Sequence, residues 1–184
     1  MKRILLPIFA IALLLVSCDE TVTFDDTRKI DNETQFAKIA ANPDYKKIES
    51  KSGNGFIMYK VLKEGESNQK PYFTDKVKVL YTGWYRRFWT KDDTFTDDNG
   101  NKFQNKVIFD TTSESNIPRT MRIDDPNYPL IDGFSTALQN MNVGDKWEVW
   151  IPWNMGYGAS GNNTIVGYST LVFEIELLEI IGRK

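Results

Sequence analysis

The chain has 184 residues, of which 41% are hydrophobic, 13% aromatic and 26% charged, and this composition fits one globular domain with extensions and excludes wholesale disorder. The formal net charge is −2, and without a concentrated Lys/Arg stripe this mild acidity argues against nucleic acid as the partner. The sequence contains no histidine, which excludes Ser-His-Asp hydrolysis, Cys-His chemistry and HExxH zinc sites.

The N-terminus has the pattern of a secretory signal. Met1-Lys2-Arg3 precede an apolar run from Ile4 to Val16. As a helix this run rises only about 20 Å, short of the roughly 30 Å hydrocarbon layer of a bilayer, so a permanent span is disfavoured. We therefore predict that residues 1–17 are a cleaved signal peptide.

The segment "LLVSC" at the end of this run resembles the lipobox of bacterial lipoproteins. The resemblance implies cleavage before Cys18 and attachment of a diacylglycerol to its thiol. The alternative, an ordinary buried cysteine, is poorly supported because the residues around it offer nothing to pack on. Residues 18–32 are polar and aperiodic, which predicts a lipidated flexible tether, and the location predicted is the bacterial cell envelope, facing the periplasm or the surface.

Residues 33–54 predict an N-terminal helical extension. Phe36, Ile39 and Ala40 share one helical face. Asn42-Pro43-Asp44 has the order of an N-cap, a proline at the first helical position and an acid in the first turn, so a second short helix is expected there. We expect this extension to pack on the outside of the domain formed by residues 55–184.

From Gly55 onward the hydrophobic period is that of β-strands. In "KVKVLYTGWY", Val77, Val79, Tyr81 and Tyr85 fall on one face. Two later segments alternate in the same way, and four or more such strands predict an antiparallel sheet. Their expected inward residues are Trp147, Val149 and Ile151 in the first, and Leu171, Phe173, Ile175 and Leu177 in the second.

One helix interrupts these strands. In "PLIDGFSTALQNMNVGD", Phe134, Leu138 and Met141 recur at helical spacing, with Ser135 and Gln139 expected to face outward. A sheet with one helix on one face is an α+β arrangement.

A long connection separates two of the strands. Residues 84–108 form an insertion whose "DDNGN" has the chemistry of a hairpin turn. This insertion could cover a binding pocket or engage a partner.

Five motifs then occur in the order seen in FKBP-type peptidyl-prolyl isomerases, and an ordered set is far more specific than any single motif. The motifs are "VKVLYTGWY", "VIFDTT", "PLIDGFSTALQNMNVGDKWEVWIP", "GYGASG" and "STLVFEIELLEI". The resemblance covers roughly residues 76–180. The chain is also similar to the lipoprotein isomerases of Bacteroidetes, which join such a domain to a lipidated N-terminus.

The resemblance implies an FKBP-like half-open antiparallel β-sheet wrapped around one short α-helix, with a prolyl pocket between them, Phe134 as its floor and proline-containing polypeptides as its substrates. It implies no cofactor and no metal. The residues carried over as catalytic are Tyr81, Phe109, Asp110, Ile131, Phe134, Tyr157 and Phe173. Those expected to bind substrate on the pocket walls are Leu130, Met121 and Val166.

Other interpretations remain open at this stage. The aromatic residues, taken singly, fit a core as well as a pocket. The sequence has Arg119 where the family commonly has an aromatic residue, and Ser115 where a basic residue frequently pairs with the aspartate, so the usual Asp-Arg pair is not expected. A non-catalytic proline-peptide binding or chaperone lipoprotein, and a structural lipoprotein that uses the insertion 84–108, are the competing functions.

Overall fold

A computed structural model describes residues 24–182, so the expected signal peptide and Cys18 lie outside the described residues. The strands are β1 (Lys46–Glu49), β2 (Phe56–Lys63), β3 (Lys76–Arg86), β4 (Thr94–Thr96), β5 (Lys102–Gln104), β6 (Lys106–Thr111), β7 (Arg119–Arg122), β8 (Lys146–Ile151) and β9 (Leu171–Ile180). Seven of them form the central antiparallel sheet in the spatial order β1-β2-β8-β9-β3-β6, with β7 also paired to β3. The helices are α1 (Phe24–Ala40) and α2 (Asp132–Leu138), with a 3₁₀ turn at Trp153–Met155.

The sheet has one face toward α2 and an opposite, outer face. On β3, Val77, Val79, Tyr81 and Tyr85 are all buried, whereas Lys78, Leu80, Thr82 and Trp84 between them are only partly buried. The inward residues predicted for β8 and β9 are buried as well. These side chains form the main core with α2, and each large apolar group buried there contributes about 1.5–3 kcal/mol. The α+β prediction, a half-open antiparallel sheet around a short helix, is confirmed.

Helix α2 is shorter than its hydrophobic spacing predicted. It ends at Leu138, and Met141 is buried beyond it in the following turn. The prediction that Ser135 faces outward was wrong, because its helix face lines a groove closed on the other side by the segment around Ser50. Gly133 allows the helix to approach β8: a Cβ on Gly133 would lie 2.3 Å from Cγ2 of Ile151.

Helix α1 packs on the outer face of the sheet, as expected for the N-terminal extension. The ring centroids of Phe36 and Phe56 lie 5.4 Å apart, and Phe36 belongs to a second apolar cluster with Met58, Trp150 and Val172. This cluster is separate from the main core because neighbouring residues on a strand point to opposite faces.

The boundaries predicted for the N-terminal region were wrong in two places. The range 18–32 was expected to be a tether, but its described part, from Phe24 onward, is helical. The range 33–54 was expected to be helical, but α1 ends at Ala40 and β1 pairs with β2. Asn42 does cap the next turn, since its Oδ1 accepts the N–H of Asp44 at 2.9 Å, but no helix follows because the chain joins the sheet edge.

The hairpin expected within the insertion 84–108 is present. Strands β4 and β5 pair with each other, and Oδ1 of Asp97 accepts the N–H groups of Asn99 and Asn101 in the turn between them. Asn105 closes the base of the hairpin. Its fully buried amide nitrogen donates to the carbonyl oxygens of Phe88, Lys91 and Asp92, at 2.9, 2.8 and 2.7 Å.

Candidate active site

A cavity of about 620 Å³ lies open to solvent between the start of α2 and the inner face of the sheet. Five of the aromatic rings that line it come from four different elements and one loop. These rings are Tyr81 on β3, Phe109 on β6, Phe134 on α2, Phe173 on β9 and Tyr157 on the loop after the 3₁₀ turn. A cavity lined by residues so distant in sequence forms only when the sheet closes around the helix.

The five rings contact one another mainly edge to face. Phe134 meets Tyr81 at 5.5 Å and Phe173 at 5.1 Å between ring centroids, and Phe109 meets Phe173 at 5.4 Å and Tyr157 at 6.5 Å. Such arrangements are favourable for aromatic pairs. Tyr81, Phe134 and Phe173 are each only 4% exposed, whereas Tyr157 is 37% exposed. The first three therefore form the depth of the cavity and Tyr157 forms its rim.

Gly83 makes room for two of these rings. A Cβ on Gly83 would lie 2.5 Å from Cε1 of Phe173 and 2.8 Å from Cζ of Phe109. Separations that short are not sustained between carbon atoms, so the absence of a side chain on β3 is what lets both rings face the cavity. The strand also has a register shift between Gly83 and Trp84.

One edge of the cavity is polar. The hydroxyl of Tyr81 donates to Oδ2 of Asp110 at 2.5 Å. Nη1 of Arg119 donates to the same hydroxyl at 2.6 Å and to Asp110 at 3.1 Å. Burial, together with the hydrogen bond to Asp110 and its charge, raises the pKa of Tyr81 well above the ordinary tyrosine range. The phenol therefore stays protonated and keeps donating to the carboxylate.

The expectation that the Asp-Arg pair is missing was wrong. Ser115 is not basic, but Arg119 supplies the guanidinium from another position. It reaches Asp110 because β7 pairs with β3, with Arg119 opposite Val79 and therefore close to Tyr81. The residue that replaces an aromatic side chain of the family thus restores the ion pair.

The structure brings together nine of the ten residues predicted from the sequence. Leu130, Ile131 and Met121 line the cavity with the five rings and Asp110. Val166 does not: it is 39% exposed and lies on the far part of the loop. The loop folds back on itself through a bridge between Gly161 and Val166, which turns Ile165 into the core and Val166 outward.

Sequence reasoning missed several lining residues. Those not predicted are Arg119, Thr120, Arg122, Asp125, Tyr128 and Pro129. Tyr128 and Pro129 directly precede Leu130, so chain adjacency is the signal that could have found them. Thr120 and Arg122 flank the predicted residue Met121, so the same signal applies to them, whereas the contribution of Arg119 depends on strand pairing.

The insertion 84–108 contacts α1 instead of covering the cavity. Among the described residues, none from 84 to 108 lines the cavity, and Phe109 and Asp110, directly after the insertion, do. Within the insertion, Nε1 of Trp89 donates to Oδ1 of Asn32 at 2.9 Å, and its ring lies 5.4 Å from that of Trp150.

Neither a metal site nor a membrane span is found in the described part of the chain. Between residues 24 and 182, no three His, Cys, Asp or Glu side chains are grouped so that they could hold a metal ion. Neither described helix combines the length and the apolar character needed to cross a bilayer.

The half-open sheet, the short helix and the aromatic cavity define an FKBP-type domain. The family model for the FKBP-type peptidyl-prolyl cis-trans isomerase matches residues 67–178. The chain therefore belongs to this family.

Relatives are found among both curated proteins and solved structures. The macrophage infectivity potentiator of Trypanosoma cruzi is 31% identical over 77% of this chain and 59% of its own length. The FKBP-type 22 kDa peptidyl-prolyl cis-trans isomerase of Escherichia coli is 35% identical over 68% of this chain and 50% of its own length. The chain thus spans between half and three fifths of these relatives.

The solved structures show the same fold. A peptidyl-prolyl cis-trans isomerase from Pseudomonas syringae superposes with a TM-score of 0.62 and 30% identity, covering 86% of this chain and 96% of the other. FkpA from Escherichia coli superposes with a TM-score of 0.59 and 27% sequence identity, covering 85% of this chain and 62% of the other.

Proposed function

We propose that this protein is a peptidyl-prolyl cis-trans isomerase that assists the folding of exported polypeptides. The observation that carries the proposal is the solvent-open cavity in which Tyr81, Phe109, Phe134, Tyr157 and Phe173 meet. An apolar concave site with a few convergent polar groups is what a small hydrophobic segment such as a prolyl residue requires. Family membership supports the same activity.

The chemistry needs no proton shuttle, which fits a chain without histidine. Rotation about an amide C–N bond meets a barrier of about 18–20 kcal/mol, so X-Pro bonds exchange unaided over tens to hundreds of seconds. The planar amide is more charge-separated than the twisted one and is therefore better stabilised by water. Transfer into a dry aromatic cavity raises the energy of the planar form more than that of the twisted form.

Desolvation explains only part of the rate. Moving an amide out of water costs roughly 1–3 kcal/mol on protein scales, and each 1.4 kcal/mol or so is worth tenfold in rate. Desolvation therefore gives an acceleration of tens to about a hundredfold. The remainder must come from a cavity shape that binds the twisted amide better than the planar one.

Two polar groups are suited to orient the substrate. The N–H of Ile131 is at the N-cap of α2, where helix N–H groups lack partners within the helix. The hydroxyl of Tyr157 is at the rim, and burial, followed by the charge of Asp110, raises the pKa of Tyr157 so that it remains a donor at neutral pH. Each would donate to a substrate carbonyl oxygen, while Asp110 borders the same edge. Such bonds fix orientation more than they add affinity.

We further propose that Cys18 carries a lipid and holds the protein in the bacterial cell envelope. The sequence "LLVSC" supports this location. A relative that is 30% identical over 67% of this chain has the name "Outer membrane protein MIP" in Legionella longbeachae. Metabolic labelling with a radioactive fatty acid tests the anchor: the full chain should be labelled, and Cys18→Ala should abolish the label. Labelling of the Cys18→Ala variant would refute it.

Isomerase activity is tested on a proline-containing peptide with the full chain. Phe134→Ala removes the floor of the cavity, and a loss of kcat/KM of about tenfold or more is expected, equivalent to at least about 1.4 kcal/mol of transition-state stabilisation. Met58→Ala is the matched control, because Met58 is 3% exposed but packs in the outer cluster. Peptide binding with no rate above background would instead leave a non-catalytic binding or chaperone protein.

A further inference from the structure

We propose that α1 supports the active site and that Arg28 is the residue through which it does so, by positioning the loop 156–170 that presents Tyr157. This inference rests on the isomerase function proposed above. Of the five rings that contact one another in the cavity, Tyr157 is the one on a loop, and the other four are on strands or on α2. Its position therefore depends on what anchors the loop.

Arg28 is an unusual residue on an outer helix because it is only 6% exposed. Nε donates to the carbonyl oxygen of Gly167 at 2.9 Å, and Nη2 donates to Oγ of Ser169 at 2.6 Å. Nη1 donates to the carbonyl oxygen of Arg87 at 3.1 Å. The planar, forked guanidinium thus joins α1 to the loop and to the start of the insertion at the same time.

The anchored end of the loop touches the end that carries Tyr157. A Cβ on Gly167 would lie 1.8 Å from the carbonyl oxygen of Ala159, so the two backbones are in direct contact there. The N–H of Tyr168 also donates to the carbonyl oxygen of Gly158 at 3.0 Å. Gly158 and Ala159 directly follow Tyr157, so a shift at Gly167 is passed to the rim of the cavity over a few bonds.

A second residue of α1 holds the end of the same loop. Asn32 is 1% exposed, and its Oδ1 accepts the N–H of Thr170 at 2.8 Å. Its Nδ2 donates to the carbonyl oxygen of Arg28 at 2.9 Å, one turn earlier in the helix. Asn32 therefore fixes the end of the loop where the chain enters β9. Arg28 fixes Gly167, in the part of the loop that contacts the residues next to Tyr157.

This arrangement gives α1 a role beyond covering the sheet. Phe36 and its apolar neighbours already pack on the outer face, and a buried guanidinium is costly to desolvate unless its donors are satisfied. Here two of the three donating nitrogens are satisfied by the loop, and the third is satisfied by Arg87 at the start of the insertion. Displacements of about 1 Å at a site can change rates by up to a hundredfold, so this contact is expected to act on catalysis.

The test is a double-mutant cycle in the full chain. Arg28→Met should lower kcat/KM by about tenfold in the wild-type background. In a Tyr157→Ala background the same substitution should change kcat/KM by less than about twofold, because a residue acting through Tyr157 has no effect once Tyr157 is gone. Arg28→Lys should restore part of the loss. Lys38→Met, an exposed position on the same helix, is the control.

A spectroscopic readout separates this inference from the proposed function. The ring resonances of Tyr157, assigned by comparison with Tyr157→Phe, should shift in Arg28→Met and not in Lys38→Met. This measurement needs no turnover, so a protein without isomerase activity would overturn the proposed function and still allow this test. Equal losses of kcat/KM in both backgrounds, or unmoved Tyr157 resonances, would overturn the positioning role. If Arg28→Met does not fold, Ser169→Ala removes one acceptor and should give a smaller change in the same direction.

Discussion

The hydroxyl of Tyr81 lies 2.5 Å from Oδ2 of Asp110, across the edge of an otherwise aromatic cavity. The two residues are on different strands, β3 and β6, and the contact ties the deepest part of the cavity to its polar rim. Arg119 completes the group by donating to both. Because the charged groups satisfy one another at the edge, the interior of the cavity stays free of charge.

Arg119 is the first residue for mutagenesis. In Arg119→Met, Asp110 keeps the hydrogen bond from the hydroxyl of Tyr81 but loses the compensating positive charge. We expect kcat/KM to fall by about three- to tenfold, that is, by about 0.6–1.4 kcal/mol of transition-state stabilisation. Arg122→Met is the comparison, since Arg122 is on the same strand but binds Asp124, and its loss should be smaller. Equal losses in the two variants of a proline-peptide assay would contradict a specific role for Arg119.

Tyr81 gives a pH prediction. Its pKa is raised by burial and by Asp110, so the neutral phenol is favoured in the folded protein. The resulting stability is fully present below the unfolded tyrosine pKa of about 10 and is lost as pH rises through the higher folded value. Denaturant unfolding should therefore show a decline above about pH 10 that is shallower in Tyr81→Phe. Identical alkaline declines would show that Tyr81 titrates normally.

Gly83 should tolerate no side chain. In Gly83→Ala the new methyl group overlaps the rings of Phe173 and Phe109, and forcing extra atoms into a packed site costs about 1–3 kcal/mol. Chemical denaturation should show that loss, and titration with a proline peptide should show weaker binding because both rings line the cavity. Lys78→Ala, an outward position on the same strand, should change stability by less than about 0.5 kcal/mol. Unchanged peptide affinity in Gly83→Ala would show that the cavity does not need Gly83 to make room for the two rings.

The sheet could be predicted because alternation is a local property of the sequence. Val77 and Val79 alternate with Lys76 and Lys78, and Tyr81 continues the same period beyond Leu80, so the period predicts which face is buried. The pocket residues could be predicted only through the ordered motifs, because edge-to-face contacts between rings such as Phe109 and Phe173 join segments far apart in the chain.

The errors have a common cause in tertiary contacts. The start of α1 shows no clear apolar stripe, and it is held by polar side chains such as Arg28 and Asn32 that bind a loop more than 130 residues away. Ser115 indicated that the Asp-Arg pair is missing, and Arg119 was not expected to supply it because its place beside Asp110 depends on the register between β7 and β3. Neither relationship is visible in hydrophobic periodicity.

Asn105 tests whether the insertion is independent of the cavity. Asn105→Ala removes the side-chain donor of three carbonyl groups in partly buried hydrogen bonds, and we expect a loss of about 2–4 kcal/mol in unfolding free energy, since each unsatisfied buried group costs about 1–3 kcal/mol. Isomerase activity of the folded fraction should stay within about twofold of wild type, because the insertion does not line the cavity. Asn101→Ala, exposed at the hairpin tip, should be nearly neutral. A large loss of kcat/KM in Asn105→Ala would show that the insertion contributes to catalysis.

Asp132 anchors the start of α2, next to Ile131 at the cavity. Its Oδ1 accepts a hydrogen bond from Oγ of Ser50 at 2.8 Å. Its Oδ2 accepts hydrogen bonds from Nδ2 of Asn54 at 3.1 Å and from the hydroxyl of Ser52. Burial acts to raise the pKa of Asp132, but the hydrogen bonds from Ser52, Ser50 and Asn54 outweigh it and hold the pKa below its ordinary value. The ionised carboxylate is therefore stabilised in the folded protein.

The stability due to Asp132 should be present above its unfolded pKa of about 3.9 and should be lost as pH falls through the lower folded value. Asp132→Asn should be about 1–2 kcal/mol less stable at neutral pH, in keeping with hydrogen bonds to a charged group. The difference from wild type should shrink in acid, because the wild-type carboxylate then becomes neutral as well. Asp44→Asn, an exposed carboxylate facing Lys60, is the control and should change stability little at any pH. A difference for Asp132→Asn that stays constant through the acid range of a denaturation series would show that its charge does not stabilise the helix start.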